Sequence, residues 1–365
     1  MGLLTIVLVV MIIGFIFIKT SPQLGANPSE SEKKEFAKSE NFESGKFKNA
    51  IPTKLDMGFS DMMTLMGKYF KGIKGAAPDF EIPVLKTDSM KLNQIDSAKL
   101  IWFGHSAFFL KLDGKNILID PMLGKVPAPH PTLGRNRYSK ELPIEIEELP
   151  SIDLILISHD HYDHLDYGSI QKLTAKTAQF VVPLGVKAHL VKWGVAEERI
   201  KEFDWWQEWK YQGIDLAFTP SRHFSGRGLN NRFSTLWGSW VIQGLKDKIY
   251  FSGDGGYGNH FKEIGDKYGP FDLAMMECGQ YNELWSEIHM MPEETAVAGQ
   301  DVKAKVVMPI HWGAFSLALH SWTDPVERLV KSAEEIGLPL IVPKIGEEIR
   351  LSDHYKTIDS WWIQK

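Results

Sequence analysis

The chain has one cysteine, Cys278, so it cannot close an intramolecular disulfide, a composition that suits a reducing compartment without requiring one. It has no basic excess either. The formal net charge is −5, which removes the electrostatic case for nucleic-acid binding. No short repeat of the solenoid kind is present. What the chain does have is length: its 365 residues can bury one large domain or two ordinary ones. It also holds 12 tryptophans and 12 histidines.

Charge is missing locally as well. Leu3 to Ile18, "LLTIVLVVMIIGFIFI", carries none, and Lys19 closes the run. As a helix these residues would span roughly 24 Å against a hydrocarbon core of about 30 Å. A cleaved signal peptide is the competing reading, but the basic leader is absent and the site at Leu24-Gly25-Ala26 is poor. The expectation is an uncleaved single-pass anchor over residues 1–20. Lys19, Lys33, Lys34 and Lys38 after it favour a catalytic domain on the cytoplasmic side.

Residues 21–52 are polar and aperiodic and read as a tether. Residues 53–96 form an N-terminal extension in which Leu55, Phe59, Met62, Met66, Phe70 and Ile73 recur at helical spacing, with Lys68, Lys71 and Lys74 among them. That spacing predicts a helix packing its greasy face on the main domain; a Met-rich basic helix at a membrane surface is the sharper alternative.

From residue 97 the pattern turns β-rich. "LIWFGHSAFFLKLDGKNILIDP" reads as two strands joined at Asp113-Gly114. Further short apolar runs alternate with helical segments near residues 168–176, 185–193, 259–267, 292–302 and 324–336, which predicts α/β layers. Residues 353–365 are left as a C-terminal tail.

One stretch carries concentrated chemistry. In "LILISHDHYDHLD", residues 154–166, an apolar strand ends in His159-x-His161-x-Asp163-His164. Residues two apart on a strand end point the same way, so His159 and His161 can share one metal ion. Asp163 and His164 follow as the chain turns and can face a second. A polar loop with coincidental histidines is a poor competitor for so specific a spacing. His223, Asp254 and His311 each stand where an apolar strand meets a polar or Gly-rich loop, in "DLAFTPSRH", "KIYFSGD" and "KVVMPIH". A lone histidine at a strand end is more often structural. Three such residues together point to one shared sheet edge.

With these residues the chain resembles the metallo-β-lactamase superfamily over residues 97–352. The resemblance implies a four-layer αββα sandwich. It gives His159, His161 and His223 to one metal, Asp163, His164 and His311 to the other, and Asp254 to both. It also implies that Asp120, in "ILIDP", supports the ligands from behind, although Asp120 alone could be capping a turn. "FDWWQEW", "PSRHFSGRGLNNRFSTLWGSWVI", "FSGDGGYGNHFKEIGDKYGPFDLAMMECGQY", "IHMMPEE" and "PIHWGAFSLALH" resemble the branch of N-acylphosphatidylethanolamine-hydrolysing phospholipase D and its bacterial relatives. That branch implies a membrane-associated phosphodiesterase with two divalent ions. Zinc is the expected metal, while His/Asp ligation also accepts iron or manganese. The implied products are phosphatidic acid and N-acylethanolamine, and a homodimer is the common assembly of the superfamily.

The chemistry agrees with that substrate. Two divalent ions, two carboxylates and a bridging hydroxide leave a net charge of about +1, suited to an anionic phosphodiester. Asp163 would orient the nucleophile. His289, in "SEIHMMPEE", is the candidate for protonating the leaving group or touching phosphate; a histidine bonding its own loop is the plain alternative. His105 reads as a buried structural histidine or a support behind the ligands. Arg222 and Arg227 flank His223 and could meet lipid phosphate; salt bridging is the plainer reading. The rival function is a lactonase or other ester hydrolase of the same superfamily acting on a soluble phosphorylated sugar.

Overall fold

The computed structural model describes residues 2–55, 58–94, 98–351 and 359–363. The chain begins with α1 (Gly2–Thr20), α2 (Glu30–Phe36), the small hairpin β1 (Phe42–Glu43) and β2 (Lys46–Phe47), α3 (Phe59–Lys71) and α4 (Ser89–Asn93). A first half follows: β3 (Lys99–Trp102), β4 (Phe108–Leu112), β5 (Lys115–Ile119), β6 (Ile152–Leu156), α5 (Tyr167–Leu173), β7 (Thr177–Pro183), α6 (Lys187–Lys192) and β8 (Ile200–Phe203). The second half is β9 (Glu208–Tyr211), β10 (Ile214–Thr219), β11 (Ser239–Gln243), β12 (Lys248–Phe251), α7 (His260–Tyr268), β13 (Leu273–Glu277), α8 (Pro292–Asp301), β14 (Val307–Ile310), α9 (Asp324–Ile336) and β15 (Glu348–Arg350).

The strands build two mixed sheets, in the orders β15-β3-β4-β5-β6-β7-β8 and β14-β13-β12-β11-β10-β9. Alternation along each strand explains the layers. Phe108, Leu110, Leu154 and Leu156 of the first sheet share a core with Phe218, Trp240, Ile249 and Phe251 of the second. The intervening residues face outward. Phe109, Ile155 and Phe180 pack with Ile170 of α5 and Leu190 of α6. Tyr250, Ala274 and Met276 pack with Ile264 of α7, Ala296 of α8 and Leu329 of α9. Central strands buried on both faces read as continuous apolar runs, and a helix can cover them only if its own apolar residues form a stripe. α9 meets that need with Val326, Leu329 and Ala333 buried, Pro325 in its first turn, and Gly337 ending it at φ 70°. The β4–β5 turn is Asp113-Gly114, with φ of 46° and 78°, the left-handed pair a tight hairpin requires.

Four expectations need correction. Among the described residues no helix is long and apolar enough to cross a membrane, so neither the single-pass anchor nor the cytoplasmic orientation that rested on it finds support in the structure. α1 rises about 28 Å in all, and its last turn already contains Lys19. Its large apolar side chains from Ile6 to Ile16 are 47–62% exposed.

The supposed tether is instead folded against the domain. Ser29 and Glu32 close a capping box on α2, and Phe36 and Phe47 join the main core. α3 forms as expected, but among its described side chains none is buried, and Met62, Met63 and Met66 stand exposed. In the tail, Trp361 and Trp362 return into the core against Trp312, at ring-centroid distances of 5.5 and 5.9 Å.

Candidate metal centre

The centre lies where strand ends of both sheets meet. Asp120 follows β5 directly, and its φ of 40° is unusual for a residue with a side chain. Its carboxylate accepts hydrogen bonds from Ser158 N at 2.7 Å and Ser158 Oγ at 2.5 Å. It also holds Nδ1 of His164 at 2.7 Å. A buried carboxylate thus fixes the loop after β6 and turns Nε2 of His164 away from itself. His105 (φ 56°) and His311 (φ 65°) sit in left-handed backbone at facing loops. Those loops are laced by two bonds, His105 N to Trp312 O at 3.0 Å and His311 N to His105 O at 3.1 Å. Such conformations concentrate where the surroundings over-determine the chain.

The donor atoms converge. His161 Nδ1 lies 2.9 Å from His159 Nε2 and 3.2 Å from His223 Nε2. His223 is oriented by donating Nδ1–H to Ile288 O at 2.9 Å. Asp254 Oδ2 is 3.8 Å from His159 Nε2, 3.9 Å from His223 Nε2 and 3.0 Å from His164 Nε2. Asp163 Oδ2 is 3.6 Å from His164 Nε2 and 3.9 Å from His311 Nε2. Tetrahedral ligands at 2.0–2.1 Å from one zinc ion stand about 3.3 Å apart. These spacings are within the reach of shared metal ligation, in groups such as His159, His161 and His223, and His105, Asp163, His164 and His311.

The electrostatics fit as well. Burial, reinforced by neighbouring histidines, pushes His159, His223 and His311 well below the ordinary imidazole range, and burial brings His161 down to about 4. All four are therefore favoured as neutral imidazoles, the form in which histidine can ligate a metal. His164 is the exception: burial opposes its charge, but Asp254, Asp163 and Asp120 raise it. Asp254 is pushed up to about 7 by burial, and its Oδ1, 3.0 Å from His311 Nδ1, makes no hydrogen bond. A buried carboxylate left in that condition is one that a cation would stabilise. The His/Asp groups are able to bind metal.

His105 and His289 join this cluster. His105 Nε2 meets Asp163 Oδ2 at 2.9 Å, and His289 Nδ1 meets Glu277 Oε1 at 2.6 Å. The two arginines do not join it. Arg222 pairs with Glu287 at 2.6 Å and bonds Thr53 Oγ1 and Pro52 O, away from the cavity over the cluster. Arg227 is 3% exposed. Its Nη1 donates to Asp160 O at 2.5 Å and Leu165 O at 2.7 Å, with Tyr162 and Trp193 stacked against it. Its Nε and Nη1 are bonded to carbonyls of the chain and its Nη2 is buried without a hydrogen-bond partner, so among the described residues neither arginine lines the cavity over the cluster.

Glu277 was missed. It ends β13 fully buried, and burial raises its carboxyl well above the usual range. Its Oε2 accepts Gly255 N at 3.1 Å and Met290 N at 3.3 Å. The signal was there: a charged residue ends the apolar strand "DLAMME" just as Asp254 ends "KIYFSGD". Arg232 was missed too. A cavity of about 280 Å³ opens over His161, Asp163, Asp254, His289 and His311, with Lys54 and Arg232 in its wall and Leu55, Leu284, Trp285 and Leu317 beside them.

Two mixed sheets flanked by helices, with buried His/Asp clusters at their strand ends, define a metal-dependent hydrolase fold. The model of the beta-lactamase superfamily domain matches residues 115–312, and this chain belongs to the metallo-β-lactamase superfamily as a metal-dependent hydrolase. An uncharacterized protein of Mycobacterium tuberculosis is 37% identical over 331 residues, 89% of this chain and 87% of its own. N-acyl-phosphatidylethanolamine-hydrolyzing phospholipase D 1 of Caenorhabditis elegans is 30% identical over 269 residues, 69% of this chain and 75% of its own. Among solved structures, a metallo hydrolase from the hyperthermophilic archaeon Ignicoccus hospitalis is similar in fold, with a TM-score of 0.53 at 24% identity over 70% of this chain and 98% of its own.

Proposed function

We propose that the protein is a phospholipase D-type phosphodiesterase that hydrolyses N-acylphosphatidylethanolamine-like lipids to phosphatidic acid and N-acylethanolamine. The observation that carries this reading is the cavity itself. It sets two cationic residues, Lys54 and Arg232, and an apolar wall over one His/Asp cluster, which suits an anionic phosphodiester with an acyl chain attached. The phospholipase D relative of Caenorhabditis elegans supports the same substrate class.

In this reading His159, His161 and His223 would hold one divalent ion, Asp163, His164 and His311 a second, and Asp254 would serve both. When bound, the ions supply Lewis acidity and lower the pKa of water. The chain's own residues do the rest. His105 Nε2 donates to Asp163 Oδ2 at 2.9 Å, which fixes that carboxylate to orient the attacking water and take its proton. The water oxygen bonds to phosphorus as the bond from phosphorus to the N-acylethanolamine oxygen breaks. That leaving oxygen receives a proton from Nε2 of His289. Glu277 holds Nδ1 of the same ring at 2.6 Å and fixes its orientation, so the pair shares one proton on the line between Oε1 and Nδ1.

His289→Gln is therefore expected to slow release of an alkoxide by about 10²–10⁴-fold, the usual range for a lost general acid. Hydrolysis of bis(p-nitrophenyl) phosphate, whose phenolate leaves without a proton, should fall far less. Equal losses on both substrates would remove His289 from that role. The substrate assignment is tested by incubating the purified chain with vesicles of N-acylphosphatidylethanolamine or of phosphatidylcholine and measuring the products by mass spectrometry. Phosphatidic acid and N-acylethanolamine from the first vesicles alone are expected. No turnover of either lipid by protein that still hydrolyses bis(p-nitrophenyl) phosphate would refute the lipid assignment.

A further inference from the structure

The N-terminal segment between α1 and α3 touches the metal centre at two places, both through polar groups that are buried or part-buried. The first runs through the loop after β6. Ala26 N donates to Nδ1 of His189 at 2.9 Å. That bond makes Nδ1 the acceptor, so the ring proton sits on Nε2, which meets Asp160 Oδ2 at 3.2 Å. Asp160 stands between His159 and His161 in the chain, and its Oδ1 accepts Gly226 N at 2.8 Å. Asp160 and His189 are both fully buried. Gln23 O accepts from Nε of Arg227 at 3.0 Å, the arginine whose Nη1 bonds Asp160 O. Pro22 O and Gly25 O accept from Trp193 Nε1 at 2.7 Å and Lys192 Nζ at 2.5 Å. Gly25 has φ 65°, and a Cβ there would lie 2.1 Å from His189 Nδ1, so no other residue fits without moving that ring.

The second place is the loop after β10. Asn49 donates Nδ2–H to His223 O at 2.8 Å and accepts His223 N at 3.1 Å. Its Oδ1 also accepts Trp237 Nε1 at 3.1 Å. A side-chain amide thus replaces a strand partner for the backbone of one histidine of the His159–His161–His223 group. Residues 22–49 all precede the part matched by the family model, which begins at residue 115.

We infer that residues 21–50 are a clamp that positions the metal centre, with Gly25–Ala26 acting through His189 on the His159–His161 loop and Asn49 acting on His223. These are positioning residues; none of them touches the reacting atoms. The inference rests on the assignment of His159, His161 and His223 as ligands of one ion. It does not depend on the lipid substrate.

The test uses the full chain and zinc as probe. Zinc affinity is measured by competition with a chromogenic chelator for the wild type, Asn49→Ala, Gly25→Val and Glu43→Ala. Glu43 lies in the same segment, and its side chain makes an exposed ion pair with Lys48. Supporting partners behind metal ligands typically contribute about 10–100-fold in affinity. A loss of that size is expected in Asn49→Ala and Gly25→Val, with Glu43→Ala like the wild type. Melting temperatures of the metal-free proteins separate a displaced ligand from general loss of fold, and Asn49→Ala should melt near the wild type. Unchanged zinc affinity in Asn49→Ala and Gly25→Val would overturn the clamp. Absence of zinc binding in the wild type would instead overturn the ligand assignment beneath it.

Discussion

Replacing His161 by alanine is expected to abolish hydrolysis and reduce bound metal while leaving the fold intact. His161 Nδ1 stands between His159 Nε2 and His223 Nε2, at 2.9 and 3.2 Å, so its loss removes the central member of a three-nitrogen set. Substituting a residue that merely supports a ligand costs about 10–100-fold in affinity, and losing the ligand itself should exceed that. The fold should survive because the ring contributes little to any core: it sits in a loop and lines the cavity. Removing it also relieves crowding among imidazoles that burial keeps neutral. Metal content by elemental analysis, a melting curve and a turnover assay check the three parts together. Full activity in His161→Ala would refute the ligand assignment.

The second large effect concerns stability. Trp312→Ala is expected to destabilise the protein by about 3–5 kcal/mol, the range for truncating a buried aromatic residue. Trp312 is 1% exposed and lies at the centre of an aromatic cluster, with ring centroids of Trp102 at 5.7 Å, Trp361 at 5.5 Å and Trp322 at 6.3 Å. It also follows His311, and its carbonyl accepts His105 N. The cavity left behind would therefore open beside the metal centre. Urea unfolding of metal-free protein measures the loss directly, because bound metal would otherwise add its own stabilisation to the folded state. Leu229→Ala, at a position 88% exposed, should stay within about 0.5 kcal/mol of the wild type. A Trp312→Ala variant equally close to the wild type would show that the aromatic cluster contributes little to stability.

What could be read from the sequence follows from how local the physics is. The His159–His164 spacing is legible because a strand end fixes directions over a few residues, and the αββα layers because buried strands must be apolar on both faces. Asp120 was readable only through the family resemblance, since its partners Ser158 and His164 lie 38 and 44 residues away. Arg227 was misread for the same reason. Beside His223 it suggests anion binding, yet its Nη1 bonds the carbonyls of Asp160 and Leu165, more than 60 residues earlier. Glu277 escaped because its imidazole partner is on a different loop.

The polar segment at 21–52 misled in another way. Its apolar anchors, Phe36 and Phe47, are too sparse to form a period, and its attachment runs through backbone and side-chain hydrogen bonds that composition cannot reveal. In α3 the helix was legible and its packing was not, because an amphipathic pattern states that an apolar face exists without naming what meets it.

Equilibrium dialysis of the purified full chain against zinc, with hydrolysis of bis(p-nitrophenyl) phosphate followed at each occupancy, tests the central assignment most directly. The expected result is two zinc ions bound per chain, with activity that rises as the sites fill and disappears on chelation. Hydrolysis that survives complete removal of metal, or a chain that binds none, would contradict the dinuclear centre.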